Sequence, residues 1–327
     1  VSVSPTASAD PATQDEVLAS GCGLLDRSDH GRLALTGAQA KEFLNGQVSN
    51  EVEALEPGTG CAATFLTHKG KMLGDLRILD TGDELLLDTE RVALQALFDL
   101  LRRTTIGHDA ELHKRTLQTA QLSLVGPAAR AVAGPAAQAL PEDEHANVAA
   151  ELAGVPVRLI VTDLGIDVLC ASEAAETVGG ALVAAGAVPV DEEAVEIVRV
   201  EHGRPRYGID LDDSVMPEEA GLVERTVSFT KGCYVGQETV ARLHWRGKPN
   251  RRLRGLRLSE AVPAGTVLRL GEKEVGTVTS PVHSPRHGDI ALAIVRREAL
   301  AEDGDEPVVL TAGDGDARAT VVALPFA

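Results

Sequence analysis

Lys231-Gly232-Cys233-Tyr234-Val235-Gly236-Gln237-Glu238 sets a thiol between glycines, just ahead of an amide and a carboxylate. A helix is expected to start beside it. Backbone N–H groups at a helix N-terminus favour negative charge, so a thiol there ionises more easily. The resulting thiolate can act as a nucleophile, a redox centre or a metal ligand. The structural alternative is a tight glycine loop around a half-buried, inert cysteine, with Gln237 and Glu238 capping the helix or pairing with Arg242.

Three further segments carry chemistry-bearing residues. Arg199-Val200-Glu201-His202-Gly203-Arg204-Pro205-Arg206-Tyr207-Gly208-Ile209-Asp210 gathers charge and an aromatic ring where a helix ends. Glu201 can accept paired hydrogen bonds from an amino-amidine edge such as that of a pterin or guanine, and Tyr207 can stack on a planar ring. The alternative is that Glu201 pairs with Arg199 or Arg204 and Gly203 ends the helix. In His68-Lys69-Gly70-Lys71-Met72-Leu73-Gly74-Asp75, a carboxylate opens a strand after a basic turn, either facing a cleft or standing exposed on a hairpin. The segment Arg242–Arg257 holds seven Arg and Lys residues and no Asp or Glu, within a chain of net charge -18. It can hold a polyanion such as a phosphate backbone or a poly-glutamate tail. Alternatively it is a solvated linker and edge strand whose charge guards against aggregation.

The elements that must position these residues alternate irregularly. Strands are expected at 32–36, 61–66, 75–79, 84–88, 117–125, 157–162 and 166–170, with Asp80-Thr81-Gly82-Asp83 as a hairpin turn. Helical spacing marks 91–103, 173–185 and 192–201, and an Ala-rich helix is expected over 127–140. This pattern is α+β with antiparallel sheets. After Pro249 short strands recur without a long helix, the texture of a small closed β-module. The expected boundaries are a disordered tail over 1–14, an α+β region over 15–245 and a barrel over 250–327.

With 327 residues, of which 44% are hydrophobic, the chain can fill two or three domain cores. Its acidity excludes general coating of nucleic acid. Cys22, Cys61, Cys170 and Cys233 form no CxxC pair, which argues against a zinc ribbon or a disulfide scaffold, and no metal site is expected. No apolar run approaches the roughly 18 residues of a membrane span. The first residues lack a signal-peptide core. A reducing cytoplasm is the expected location.

Together these segments resemble the folate-binding YgfZ family, which is related to the aminomethyltransferase (T-protein) of the glycine cleavage system. Lys231–Glu238 is similar to the family's Lys-Gly-Cys-Tyr-x-Gly-Gln-Glu signature. Leu44–Asn50 resembles its early loop, 65–75 its Lys-Gly-Lys-Met segment, and 199–208 the Arg-x-Glu-x-Gly-x-x-x-Tyr-Gly stretch shared with T-proteins. The resemblance implies an aminomethyltransferase-like ring of two α+β subdomains and a C-terminal β-barrel around bound tetrahydrofolate. It also implies folate contacts from Glu201, Tyr207, Arg199, Asn50, Lys71 and Gln237, with Cys233 and Asp75 as the reactive groups. T-proteins carry paired aspartates where this chain has Gly74-Asp75, so general acid–base work there loses a partner. The expected function is therefore a tetrahydrofolate-binding accessory protein that serves iron–sulfur client enzymes or assembly proteins, tRNA-thiolating enzymes included. A folate-dependent aminomethyltransferase or demethylase is the first alternative. A non-catalytic tRNA-binding module using Arg242–Arg257 is the second.

Overall fold

The computed structural model describes residues 11–300 and 307–326. The chain divides into two units. Unit 1 takes residues up to Phe65, Gly74–Val195 and Thr230–Val235; unit 2 takes Leu66–Leu73, Glu196–Phe229 and Gly236 onward.

Unit 1 is built on two sheets. One runs Gly60–Leu66, Met72–Asp80, Leu85–Thr89, Gly31–Thr36, Glu111–Lys114. Its central turn follows the expected chemistry: Gly82 sits at φ +93 and donates its N–H to Asp80 Oδ1 at 2.9 Å. The helix Leu94–Thr104 lies on the strand Gly31–Thr36 and buries Leu97 and Leu101. The second sheet runs Val188–Pro189, Gly23–Asp26, Thr119–Val125, Gly165–Ala171, Val155–Thr162, Asn147–Leu152. The pairing of Gly23–Asp26 with Val188–Pro189 is parallel, and the others in this sheet are antiparallel.

Strand alternation gives the second sheet two different faces. Leu122, Leu124, Ile166, Val168 and Cys170 pack against the short helices and Ala175–Ala184, in a core rich in alanine. On the opposite face, Ile160 and Leu169 meet Leu79 and Leu86 of the first sheet. Gln121, Ser123 and Asp167 share that second face by register.

Several boundaries differ from expectation. The helix Pro11–Ser20 begins inside the stretch expected to be disordered, and Gln14 is buried and bonded to Asp191 at 3.0 Å. Residues 1–10 lie outside the described residues. The Ala-rich stretch is two single turns, Ala129–Val132 and Pro135–Gln138, because Gly134 at φ +93 and then Pro135 break it.

Unit 2 contains a closed six-stranded antiparallel barrel, ordered Arg251–Leu258, Gly288–Arg296, Lys273–Ser284, Val267–Leu270, Val309–Ala312, Arg318–Val322. Its interior is filled by Leu256, Leu268, Val275, Val278, Ala291 and Ala293 among others. Ala291 and Ala293, two of these six, are small, which lets a six-stranded barrel close on side chains. Arg251–Leu258 is bonded on both sides, so the alternative reading of the Arg-rich segment as an edge strand does not hold.

Candidate functional site

Residues of both sheets of unit 1 line a half-open cavity of about 270 Å³. Asp75 and Arg77 lie two apart on one strand, and both line it. Arg77 stands opposite Asp88 in the register, and Asp167 stands opposite Ser123. Arg77 bridges the sheets: Nη2 donates to Asp88 at 2.8 Å and Nη1 to Asp167 at 2.7 Å. Asp167 also accepts from Ser123 Oγ at 2.6 Å and Gln121 Nε2 at 3.2 Å. His30 Nδ1 stands 3.5 Å from Asp88 Oδ1, an ion pair at the outer limit of a hydrogen bond.

Burial and charge oppose one another here. Burial alone would raise the Asp88 carboxyl, but the Arg77 charge and then His30 outweigh it and hold it well below the usual carboxylate range. Burial likewise pushes His30 down, and Asp88 reverses this to a net rise. For Arg77 burial is again the largest single influence, and the two aspartates overturn it, leaving the guanidinium firmly charged.

The Cys233 motif proves to be a strap closed by its other residues. Lys231 Nζ donates to three carbonyls of the early loop: Asn45 at 2.6 Å, Val48 at 2.9 Å and Asn50 at 2.6 Å. Burial pushes the Lys231 ammonium down to about 8, still above neutral pH, and the three bonds use all its N–H donors. Tyr234 is buried, with Lys231 Nζ 5.3 Å from its ring centroid. Gly236, at φ +87, brings its Cα so near Thr67 that a Cβ would stand 2.7 Å from the carbonyl oxygen. Only then does the helix Gln237–Arg246 begin, so Cys233 lies four residues before it and not at its N-terminus. Cys233 is exposed. Burial pushes Cys22 and Cys170 up to about 11 and Cys61 up to about 12.

Several expected folate contacts have intramolecular partners. Asn50 donates Nδ2 to Ala62 O at 2.7 Å and accepts from the Glu51 N–H at 2.9 Å. In unit 2, Lys71 donates to Ser214 O at 2.5 Å. Arg199 holds Asp210 and Ser280, both at 2.7 Å, as well as Glu196. Glu201, the last residue of its helix, is buried; it accepts from Ser284 Oγ at 2.6 Å and pairs with Arg286. Neither Arg199 nor Arg204 is the partner of this carboxylate. Tyr207 is half-buried and bridges to Leu211, and Gln237 opens its helix. Asn50, Asp75 and Cys233 thus belong to unit 1, and Lys71, Arg199, Glu201, Tyr207 and Gln237 to unit 2.

The Arg-rich segment is divided between the helix Gln237–Arg246 and the strand Arg251–Leu258. Arg251 and Arg252 pair with Glu219 and Glu218 at 3.2 and 3.9 Å. The residues that sequence reading overlooked are Arg77, Asp88 and Asp167. Their signal was a charge interrupting an apolar strand, as in Leu85-Leu86-Leu87-Asp88 and Leu76-Arg77-Ile78.

Two face-to-face α+β sheets with a polar cavity and a separate closed barrel define a protein of the aminomethyltransferase fold. The chain belongs to the glycine cleavage T-protein family: its GCVT N-terminal domain matches residues 5–231 and its C-terminal barrel domain residues 251–327. It is 30% identical to an aminomethyltransferase of Geobacillus kaustophilus, over 96% of this chain and 89% of the relative. It is 28% identical to a chloroplastic protein of Arabidopsis thaliana, a proposed transferase, over 86% of this chain and 67% of the relative. The glycine cleavage aminomethyltransferase of Bartonella henselae superposes with a TM-score of 0.83 at 21% identity, over 97% of this chain and 89% of that one, and so shares the fold. Among the described residues no helix is long and apolar enough to cross a membrane, and no group of three or more His, Cys, Asp or Glu could hold a metal.

Proposed function

We propose that this protein binds tetrahydrofolate with its pterin ring in the unit 1 cavity, Asp75 on the wall, and supports iron–sulfur enzymes through the Cys233 thiol, as a YgfZ-like accessory factor. The observation that carries this reading is the division of labour in the motif strap. Lys231, Tyr234 and Gly236 each meet a structural demand, whereas Cys233 is exposed. A side chain that the fold does not need, set in a segment the fold holds firmly, is suited to act on something outside the chain.

The cavity fits the cofactor's head. Ligand clefts run from roughly 300 Å³ upward, so about 270 Å³ takes a ring and not a whole folate. Leu76, Leu124 and Val125 give apolar walls, and Asp75 and Asp88 give acceptors. Bound tetrahydrofolate supplies an amine that accepts or donates a one-carbon unit. The chain's own contribution is to hold the ring between the sheets and to keep Asp75 and Asp88 on the wall. A cluster takes about four ligands, so any contact of Cys233 with a cluster requires thiols from a client or assembly protein.

Aminomethyl transfer is the less supported alternative, because Gly74 cannot take the second carboxylate. A Cβ there would stand 2.5 Å from the buried Phe65 ring and 2.7 Å from Ala93 Cβ. The test is tetrahydrofolate calorimetry combined with iron–sulfur enzyme activity in cells lacking the protein. Binding should be retained in Cys233→Ser and weakened in Asp75→Asn, and Cys233→Ser should fail to rescue the enzymes. Full rescue by Cys233→Ser would remove the thiol from the function.

A further inference from the structure

Cations gather at one end of the barrel in unit 2. Arg251 begins its strand and stands opposite Arg296, the last residue of the strand Gly288–Arg296. Lys273 begins the strand Lys273–Ser284, which runs antiparallel to Gly288–Arg296, so it comes to the same end. Asn250 ties the incoming chain there, its carbonyl accepting the Arg297 N–H at 2.8 Å. Like charges directly opposite on paired strands repel. Arg251 is neutralised by Glu219 at 3.2 Å, but Arg296, Arg297 and Lys248 have no ion-pair partner among the described residues. Lys248, Asn250, Lys273, Arg296, Arg297 and Leu300 line a half-open cleft of about 840 Å³, and its one acid, Glu298, is paired with Lys273. Three unpaired cations on one cleft of a chain of net charge -18 suit it to an anion.

Three positions before Lys248 stands Trp245, the only tryptophan in the sequence and 68% exposed. The ring is held edge-on by His244 at 4.7 Å and Phe229 at 5.5 Å between centroids. His244 is itself stacked on Phe229 and bonded to Glu218 at 3.2 Å. Arg242 and Arg246, one turn apart on the same helix, are exposed beside it. Extended chain gains at most about 3.6 Å per residue, so the Trp245 backbone lies within about 11 Å of that of Lys248. The cations alone would suit any polyanion. A fixed, exposed ring next to them suits one that carries planar bases.

We propose that this cleft and Trp245 form a binding site for single-stranded nucleic acid, with Lys248, Arg296 and Arg297 on the phosphates and a base stacked on Trp245. The site is independent of the folate reading. A duplex keeps its bases paired and stacked, and so offers none to the ring. An acidic peptide brings the charge without the bases. The sequence directly after Leu300 carries Glu302, Asp303, Asp305 and Glu306, rival anions within six positions, so the full chain is the form to test.

Trp245 emission reports the contact directly, since no other tryptophan contributes. A single-stranded uridylate dodecamer should quench it, and a labelled copy should show binding by anisotropy. Three phosphate contacts on a single strand give a slope of about -2 in log K against log salt. The double variant Arg296→Gln/Arg297→Gln should weaken binding about tenfold or more at about 50 mM salt and bring the slope to about -0.7. Trp245→Leu, read by anisotropy, should weaken binding about fivefold or more and leave the slope unchanged. Circular dichroism first shows each variant folded. Any of four results overturns the site: no binding to wild type, binding without quenching of Trp245, a slope untouched by the double variant, or a duplex or poly-glutamate of equal charge bound as tightly as the single strand.

Discussion

At the scale of single residues, exposure separates Cys233 from the other cysteines. With 5,5′-dithiobis-(2-nitrobenzoate) at pH 8, one thiol per chain should react promptly and three only on unfolding, and Cys233→Ser should remove the prompt one. The ordering follows from burial, which holds Cys22, Cys61 and Cys170 protonated. Gly74 makes a second case. Restoring the paired carboxylate as Gly74→Asp should cost about 3 kcal/mol or more in urea unfolding, because the added atoms meet Phe65 and Ala93. It should yield no aminomethyl transfer. The sequence drew attention to Cys233, Asp75 and Glu201 by their motifs. It did not disclose Glu201's partners, because Ser284 and Arg286 lie more than eighty positions away on a barrel strand and the turn after it.

At the scale of elements, hairpins were legible because their turns are written in glycine and aspartate, as at Asp80–Asp83 and Asp163–Gly165. The edge strands Glu111–Lys114 and Asn147–Leu152 were not, since an edge strand needs little apolar alternation to be held by one neighbour. Nor was the pairing of the two sheets, which turns Arg77 from a surface charge into a bridge. That bridge predicts a pH window. Asp88's folded pKa lies well below its ordinary 3.8, so its stabilisation is complete above about pH 4 to 5 and is lost as pH falls further. His30's folded pKa lies above 6.5, so its contribution is complete below that value and is lost as pH rises through the folded pKa. Midpoints of urea unfolding should therefore fall on both sides of a maximum near pH 5 to 6, and Asp88→Asn should flatten both slopes.

At the scale of the whole molecule, the α+β region and the barrel were readable from the change in texture after Pro249, and the barrel's closure from its short strands. The interleaving of the units was not readable. The chain passes between them at 65/66, 73/74, 195/196, 229/230 and 235/236, so no single cut separates two complete pieces. Thr230–Val235 completes unit 1 from far along the sequence. Lys231→Met should therefore cost about 2–4 kcal/mol, read in urea unfolding, since three loop carbonyls lose a charged donor. Amide exchange in Asn45–Asn50 should rise with it.

The Lys231 clamp spans 181 to 186 residues of sequence. A ribosome adds about 5–20 residues each second, so the early loop waits on the order of ten seconds or more for its anchor to be made. Through that interval the nascent N-terminal sheets stand with Asn45, Val48 and Asn50 unclamped. Chains stalled with residue 200 just outside the exit tunnel should be cleaved readily near 45–50, and chains stalled beyond 240 should resist. The thiol of Cys233 thus emerges with the very segment that finishes the body it belongs to, and its appearance outside the tunnel coincides with the completion of unit 1.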